Sequence, residues 1–99
     1  MLTFEKFKAS LNASKPPSEI SSELKALWYD AKGDWDKAHQ IVQSLHTKNA
    51  AWVHAYLHRK EPDDWNASYW YSIAGKVKPN TKFDTEWEEI SRDLLSYLD

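Results

Sequence analysis

The segment WVHAYLHRKE, Trp52 to Glu61, sets His54 and His58 four residues apart. On a helix that spacing puts both imidazoles on one face, about one turn apart, as in helical zinc sites. Such a site needs a third ligand, and the sequence offers His39, Glu61 and Asp63. The metalloprotease motif would place Glu directly after the first His; Ala55 stands there, so that motif is absent. The ordinary alternative is structural. Val53, Tyr56 and Leu57 make the inward row of this helix, and His54 and His58 on its shoulder would hydrogen-bond to carboxylates, backbone or tyrosines. His39 shares a helical face with Trp35, Val42 and His46. If its helix packs on the one carrying His54 and His58, the three rings could meet. With Asp36 close by, that cluster would suit proton chemistry near neutral pH.

A second set of residues could bind rather than react. Trp52 and Arg59 lie seven apart on one helix, near one face and off the inward row. Tyr56, Tyr69 and Trp70 add large side chains with polar handles, the kind that anchor partners at low entropic cost. The segment around Tyr69 is apolar on two faces: Ala67, Trp70, Tyr71 and Ala74 on one, Trp65, Tyr69 and Ile73 on the other. Such a helix is either central, covered on both sides, or presents one face to a partner. Central burial between the fourth and sixth helices is the expectation.

Spacing and punctuation define the elements that must position these groups. A short helix follows Thr3, with Phe4, Phe7, Lys8 and Leu11. Ile20, Leu24, Leu27, Trp28 and Ala31 form one stripe of a second helix. Asp34 caps a third, with Ala38, Ile41, Val42 and Leu45 inward. A fourth spans about 48–60 and is stopped by Pro62; a fifth spans about 64–74 and ends at Gly75. A sixth opens with the capping box Thr85-x-x-Glu88 and turns Trp87, Ile90, Leu94 and Leu98 inward. Its acidic run DTEWEEISRD reads as a solvated face whose carboxylates favour the helix dipole. No segment shows sustained two-residue alternation, so the fold class is all-α, about six helices in one domain over residues 1–99.

The second and third helices superimpose on the fourth and fifth with an offset of 29 residues. Leu24 falls on Val53, Ala26 on Ala55, Leu27 on Tyr56, Asp34 on Asp63, Ala38 on Ala67, and Val42 on Tyr71. A period of this size means stacked helical hairpins that bury their faces on each other. GDWDKAHQIVQSL and DDWNASYWYSIAGKVKP resemble the second helix of a tetratricopeptide repeat, over roughly residues 20–79. The resemblance implies two tetratricopeptide-like hairpins with N-terminal and C-terminal capping helices. It also implies that the first helix of each hairpin lines a concave groove. Trp52, Tyr56, Arg59 and Lys60 would face that groove, where Arg59 could meet a carboxylate on a bound peptide. GDWDKAHQIVQ, WVHAYLHRKE and NASYWYSIAG together resemble a small family of bacterial helical proteins, which implies a fold and no activity.

Composition narrows the classes. A net charge of −2 with no Lys/Arg-rich run argues against nucleic acid as a partner. The absence of cysteine excludes disulfides, thiolate metal sites and Cys nucleophiles. No window is long and apolar enough for a membrane span, and the N-terminus lacks the apolar core of a signal peptide, so a cytoplasmic protein is expected. Gly-rich phosphate loops, nucleophile elbows and kinase motifs are missing. The leading reading is therefore an interaction module rather than an enzyme. It would bind a protein, peptide or small ligand through Trp52, His54, Tyr56, His58, Arg59, Tyr69 and Trp70, without a cofactor. The alternative is a metal-binding protein or His-dependent enzyme, with zinc or another divalent metal on His39, His54 and His58.

Overall fold

A computed structural model of the chain describes residues 2–96. The inward assignment of Leu98 lies outside the described residues. Within them the fold is all-α. The helices are α1 (Phe4–Ala9), α2 (Ser22–Ala31), α3 (Trp35–Gln43), α4 (Lys48–Lys60), α5 (Asp64–Ala74) and α6 (Phe83–Leu95), with a 3-10 turn after α1 at Ser10–Asn12. No described helix is long and apolar enough to cross a membrane.

Five of the six helices begin where a short polar side chain can accept a backbone N–H that the helix leaves unpaired. Thr3, Ser21, Asp34, Thr47 and Asp63 each accept from the residue three positions on. The exception is α6. It opens at Phe83, two residues before the expected Thr85 box, and its N-cap Lys82 makes no side-chain cap bond. A tertiary contact fixes this start instead. The Arg59 guanidinium donates to the Thr81 carbonyl and lies 4.9 Å from the Phe83 ring centre. Glu88, expected to complete the box, pairs with Arg92 at 2.7 Å.

Helix α4 is the centre of the molecule. Every residue from Ala50 to His58 is buried, because α2, α3, α5 and α6 all pack against it. This overturns the expectation that α5 is central. Helix α5 buries only Ala67, Tyr71 and Ala74, whereas Trp65, Tyr69 and Ile73 stay exposed. Helix α6 passes across α2 and α4 instead. Its Trp87 stacks on Phe7 at 5.6 Å and donates from Nε1 to the Leu27 carbonyl at 2.9 Å.

The turns that close the two hairpins share their backbone geometry. Asp34 N–H donates to the Tyr29 carbonyl and Asp63 N–H to the His58 carbonyl, at 2.9 and 2.7 Å. Tyr29 and His58 are again 29 residues apart. The caps sit at φ −107°, ψ 74° for Asp34 and φ −112°, ψ 82° for Asp63. Pro62 replaces the left-handed Gly33 without altering this bond, since the bond spans it.

Candidate metal centre

Three histidines from two helices meet where α3 crosses α4. His39 comes from the middle of α3, and His54 and His58 from consecutive turns of α4. His39 Nε2 lies 3.1 Å from His54 Nε2. One ring nitrogen from each of the three residues can be chosen so that all lie within 4.8 Å of one another. The three rings, whose meeting the sequence left open, lie side by side. His54 and His58 are buried rather than on an open shoulder, and His39 is half-buried.

Aromatic rings set these imidazoles in place. Trp35 stacks on His39 with centres 4.9 Å apart, and its Nε1 donates to the Leu57 carbonyl at 2.8 Å. Trp35 therefore locks α3 onto α4 and orients a cluster member at the same time. On the far side Trp70 stacks on His54 at 4.0 Å. The site is walled by two indoles, and those walls lower the dielectric around it.

The protonation states follow. Burial first, and then the neighbouring His39 and His58, hold the His54 pKa down to about 4. Burial and His58 also lower His39, against the pull of Glu61 and Asp36. His54 is therefore a neutral imidazole at pH 7; in the metal-free fold one of the two facing Nε2 atoms carries the proton of the His39–His54 hydrogen bond, which a bound metal would displace. The His58 Nδ1 lies 2.7 Å from Glu61 Oε1. A carboxylate only accepts, so Nδ1 donates to Glu61 and Nε2 is the nitrogen left to face the cluster. Carboxylate, histidine and metal in line is the usual second layer of a zinc site. Asp63, also considered as a ligand, is held by Asn66, which donates from its backbone N at 3.2 Å and from Nδ2 at 2.7 Å.

The other residues of the expected groove are placed differently. Trp52 is buried beneath Lys76, whose Nζ lies 4.2 Å from its ring centre. Tyr56 is buried, and its hydroxyl donates to Asp30 at 3.1 Å; burial and that carboxylate push the phenol pKa well up. Lys60 closes the same carboxylate at 3.0 Å. Arg59 does meet a carboxylate, but one of its own chain: Nη1 lies 2.8 Å from Glu86 Oε1. The Tyr71 hydroxyl donates to the same group at 2.6 Å. Burial raises the Glu86 pKa, and the bonds from Tyr71 and Arg59 oppose that rise. The solvated reading of the α6 acids thus fails at Glu86, which is 1% exposed. The signal was present: Glu86 falls in one helical row with Ile90 and Leu94. What remains open on this side is a cavity of about 330 Å³ whose lining includes Phe4, Asp30, Tyr56, Lys60 and Trp87.

Tyr69 and Trp70 part company. Trp70 belongs to the histidine cluster, whereas Tyr69 points to solvent beside Trp65, 6.2 Å between ring centres. No family model, curated protein or solved structure matches the chain.

Proposed function

We propose that this chain is a pair of tetratricopeptide-like hairpins whose junction binds a divalent transition-metal ion, with His39, His54 and His58 as ligands. One observation carries the reading: two Nε2 atoms stand 3.1 Å apart on different helices, with a third imidazole within 4.8 Å. Two nitrogens bound to tetrahedral zinc at about 2.0–2.1 Å are separated by about 3.3 Å, so the cluster needs adjustments of tenths of an ångström. An all-imidazole set suits zinc, copper, nickel or iron and disfavours magnesium and calcium. Three protein ligands leave a fourth position for water or substrate, the pattern of catalytic rather than structural zinc sites. The bond from Trp35 Nε1 to the Leu57 carbonyl supports the reading, because it fixes the register of α3 against α4. The peptide-groove reading has less support, since Trp52, Tyr56 and Arg59 are engaged inside the fold.

Calorimetric titration of metal-free protein with zinc tests the proposal. The expected result is one saturable site per chain, with tryptophan emission changing in step because Trp35 and Trp70 flank the ligands. His39→Ala, at the least buried ligand, should abolish high-affinity binding while the helical circular dichroism persists. Binding unchanged in His39→Ala, or no saturable binding of zinc, copper or nickel, would overturn it.

A further inference from the structure

The two hairpins provide an internal control for the surface of α5. With the 29-residue offset, Trp65, Tyr69 and Ile73 on α5 stand where α3 carries Asp36, Gln40 and Ser44. All six residues are exposed. The fold therefore accepts polar side chains at this face in one hairpin and displays a large apolar row in the other. Trp65 is 77% exposed, Tyr69 51% and Ile73 43%, with Val77 at 91% just past the helix end. Tyr69 meets the Trp70 ring edge-on at 5.2 Å, and the rest of this row faces outward.

We infer that the α5 face is a self-association surface, on which α5 of a second copy of this chain packs antiparallel about a two-fold axis near Tyr69. Charge and area both favour a copy as the occupant. From Trp65 to Gly75 the helix carries no acidic or basic side chain. An isologous contact sets each residue's surroundings against themselves, so a neutral face meets its own image without like-charge repulsion. The lysines flanking Val77 are occupied within the chain, Lys76 over the Trp52 ring at 4.2 Å and Lys78 on Asp64 at 2.8 Å, which leaves an acidic membrane, a nucleic acid or a charged peptide little to pair with. Large residues at 65, 69 and 73 alternate with exposed Ser68 and Ser72, so ridges from one copy can enter the gaps of the other. The exposed parts of the four apolar side chains come to roughly 500 Å² per copy, or about 1,000 Å² for the pair, at the lower bound of specific interfaces. A reversible dimer is therefore expected, and it does not depend on the metal site.

Sedimentation velocity on the full chain from about 1 µM to about 500 µM tests this range of affinity. The weight-average mass should rise from 11.6 kDa toward twice that value. The triple variant Trp65→Asp, Tyr69→Gln, Ile73→Ser transplants the residues that α3 carries. It should stay at monomer mass, with its dissociation constant raised at least about 100-fold, and keep the wild-type melting curve when dilute. Tyr69→Glu and Tyr69→Lys, each alone, should also be monomeric, and an equimolar mixture should regain the dimer. A wild-type chain that stays monomeric at the highest concentration overturns the inference. So does a dimer that the triple variant leaves intact, or a monomer that binds neutral phosphatidylcholine vesicles through the same residues.

Discussion

Replacing Arg59 by Leu should expose how firmly α6 is fastened to α4. The Arg59 side chain is 10% exposed and that of Glu86 2%, so the pair lies in the regime where removing one partner strands a buried charge at a cost of about 3–5 kcal/mol. The Tyr71 hydroxyl, whose one proton faces both Glu86 oxygens at 2.8 and 2.6 Å, still donates to Glu86, which places the cost at the lower end, about 3 kcal/mol. In a domain of this size each kcal/mol moves the midpoint by about 4–8 °C, so a drop of roughly 12–24 °C is expected. The pH dependence identifies the cause. Burial already raises Glu86 above its ordinary 4.5, and loss of Arg59 removes an opposing charge and raises it further. Between that folded value and 4.5 the folded state binds more protons than the unfolded chain, so stability rises as pH falls. The deficit of Arg59→Leu should therefore be largest at pH 7 and shrink toward pH 5. Adding Glu86→Gln should recover more than about 1.5 kcal/mol, measured as a coupling in urea melts. A deficit below about 1 kcal/mol, indifferent to pH and additive with Glu86→Gln, is the behaviour of a solvated pair and would refute the argument.

Three further outcomes follow from the histidine cluster and the α5 cap. His54 is neutral in the fold down to about pH 4 but takes a proton near 6.5 once unfolded, so the unfolded chain binds more protons within that window. Metal-free protein should thus lose on the order of 2 kcal/mol as pH falls through it, and His54→Phe should flatten that slope in guanidinium melts. Glu61→Gln keeps a hydrogen-bond acceptor for His58 Nδ1 but removes the charge; zinc affinity should fall about 10-fold or more by titration, with little change in metal-free stability. Gly75 ends α5 at φ 72° with free space around a Cβ, so Gly75→Ala should cost only the left-handed strain, about 1–2 kcal/mol by thermal melt, and Gly75→Asn less.

The sequence was most informative where structure is local. Asp34 caps the helix expected of it, α1 starts directly after Thr3, and Pro62 and Gly75 end α4 and α5 at the expected places. Each of these depends on residues within a turn of one another. What lay beyond reach was which apolar face meets which. The spacing of α6 shows that Trp87, Ile90 and Leu94 point inward, yet it does not say that they meet α2 and α4 rather than α5. The burial of Glu86 depends on Arg59, 27 residues away, and on a buried tyrosine of a third helix. The histidines are an intermediate case. The spacing of His54 and His58 fixes their shared face, but the approach of His39 requires the α3–α4 crossing that Trp35 pins through the Leu57 carbonyl.

The path of α6 across α2 and α4 also has a kinetic meaning. The surface formed by α2 and α4 holds a helix of the same chain, tied to α5 through residues 75–82. A segment on so short a tether acts at an effective concentration in the millimolar range. An outside helix making the same contacts as Arg59–Glu86 and Trp87–Leu27 would have to exceed that concentration to displace it. Cutting the tether would turn one folding event into a bimolecular equilibrium, and only then would the surface of α2 and α4 beneath α6 be open to competition.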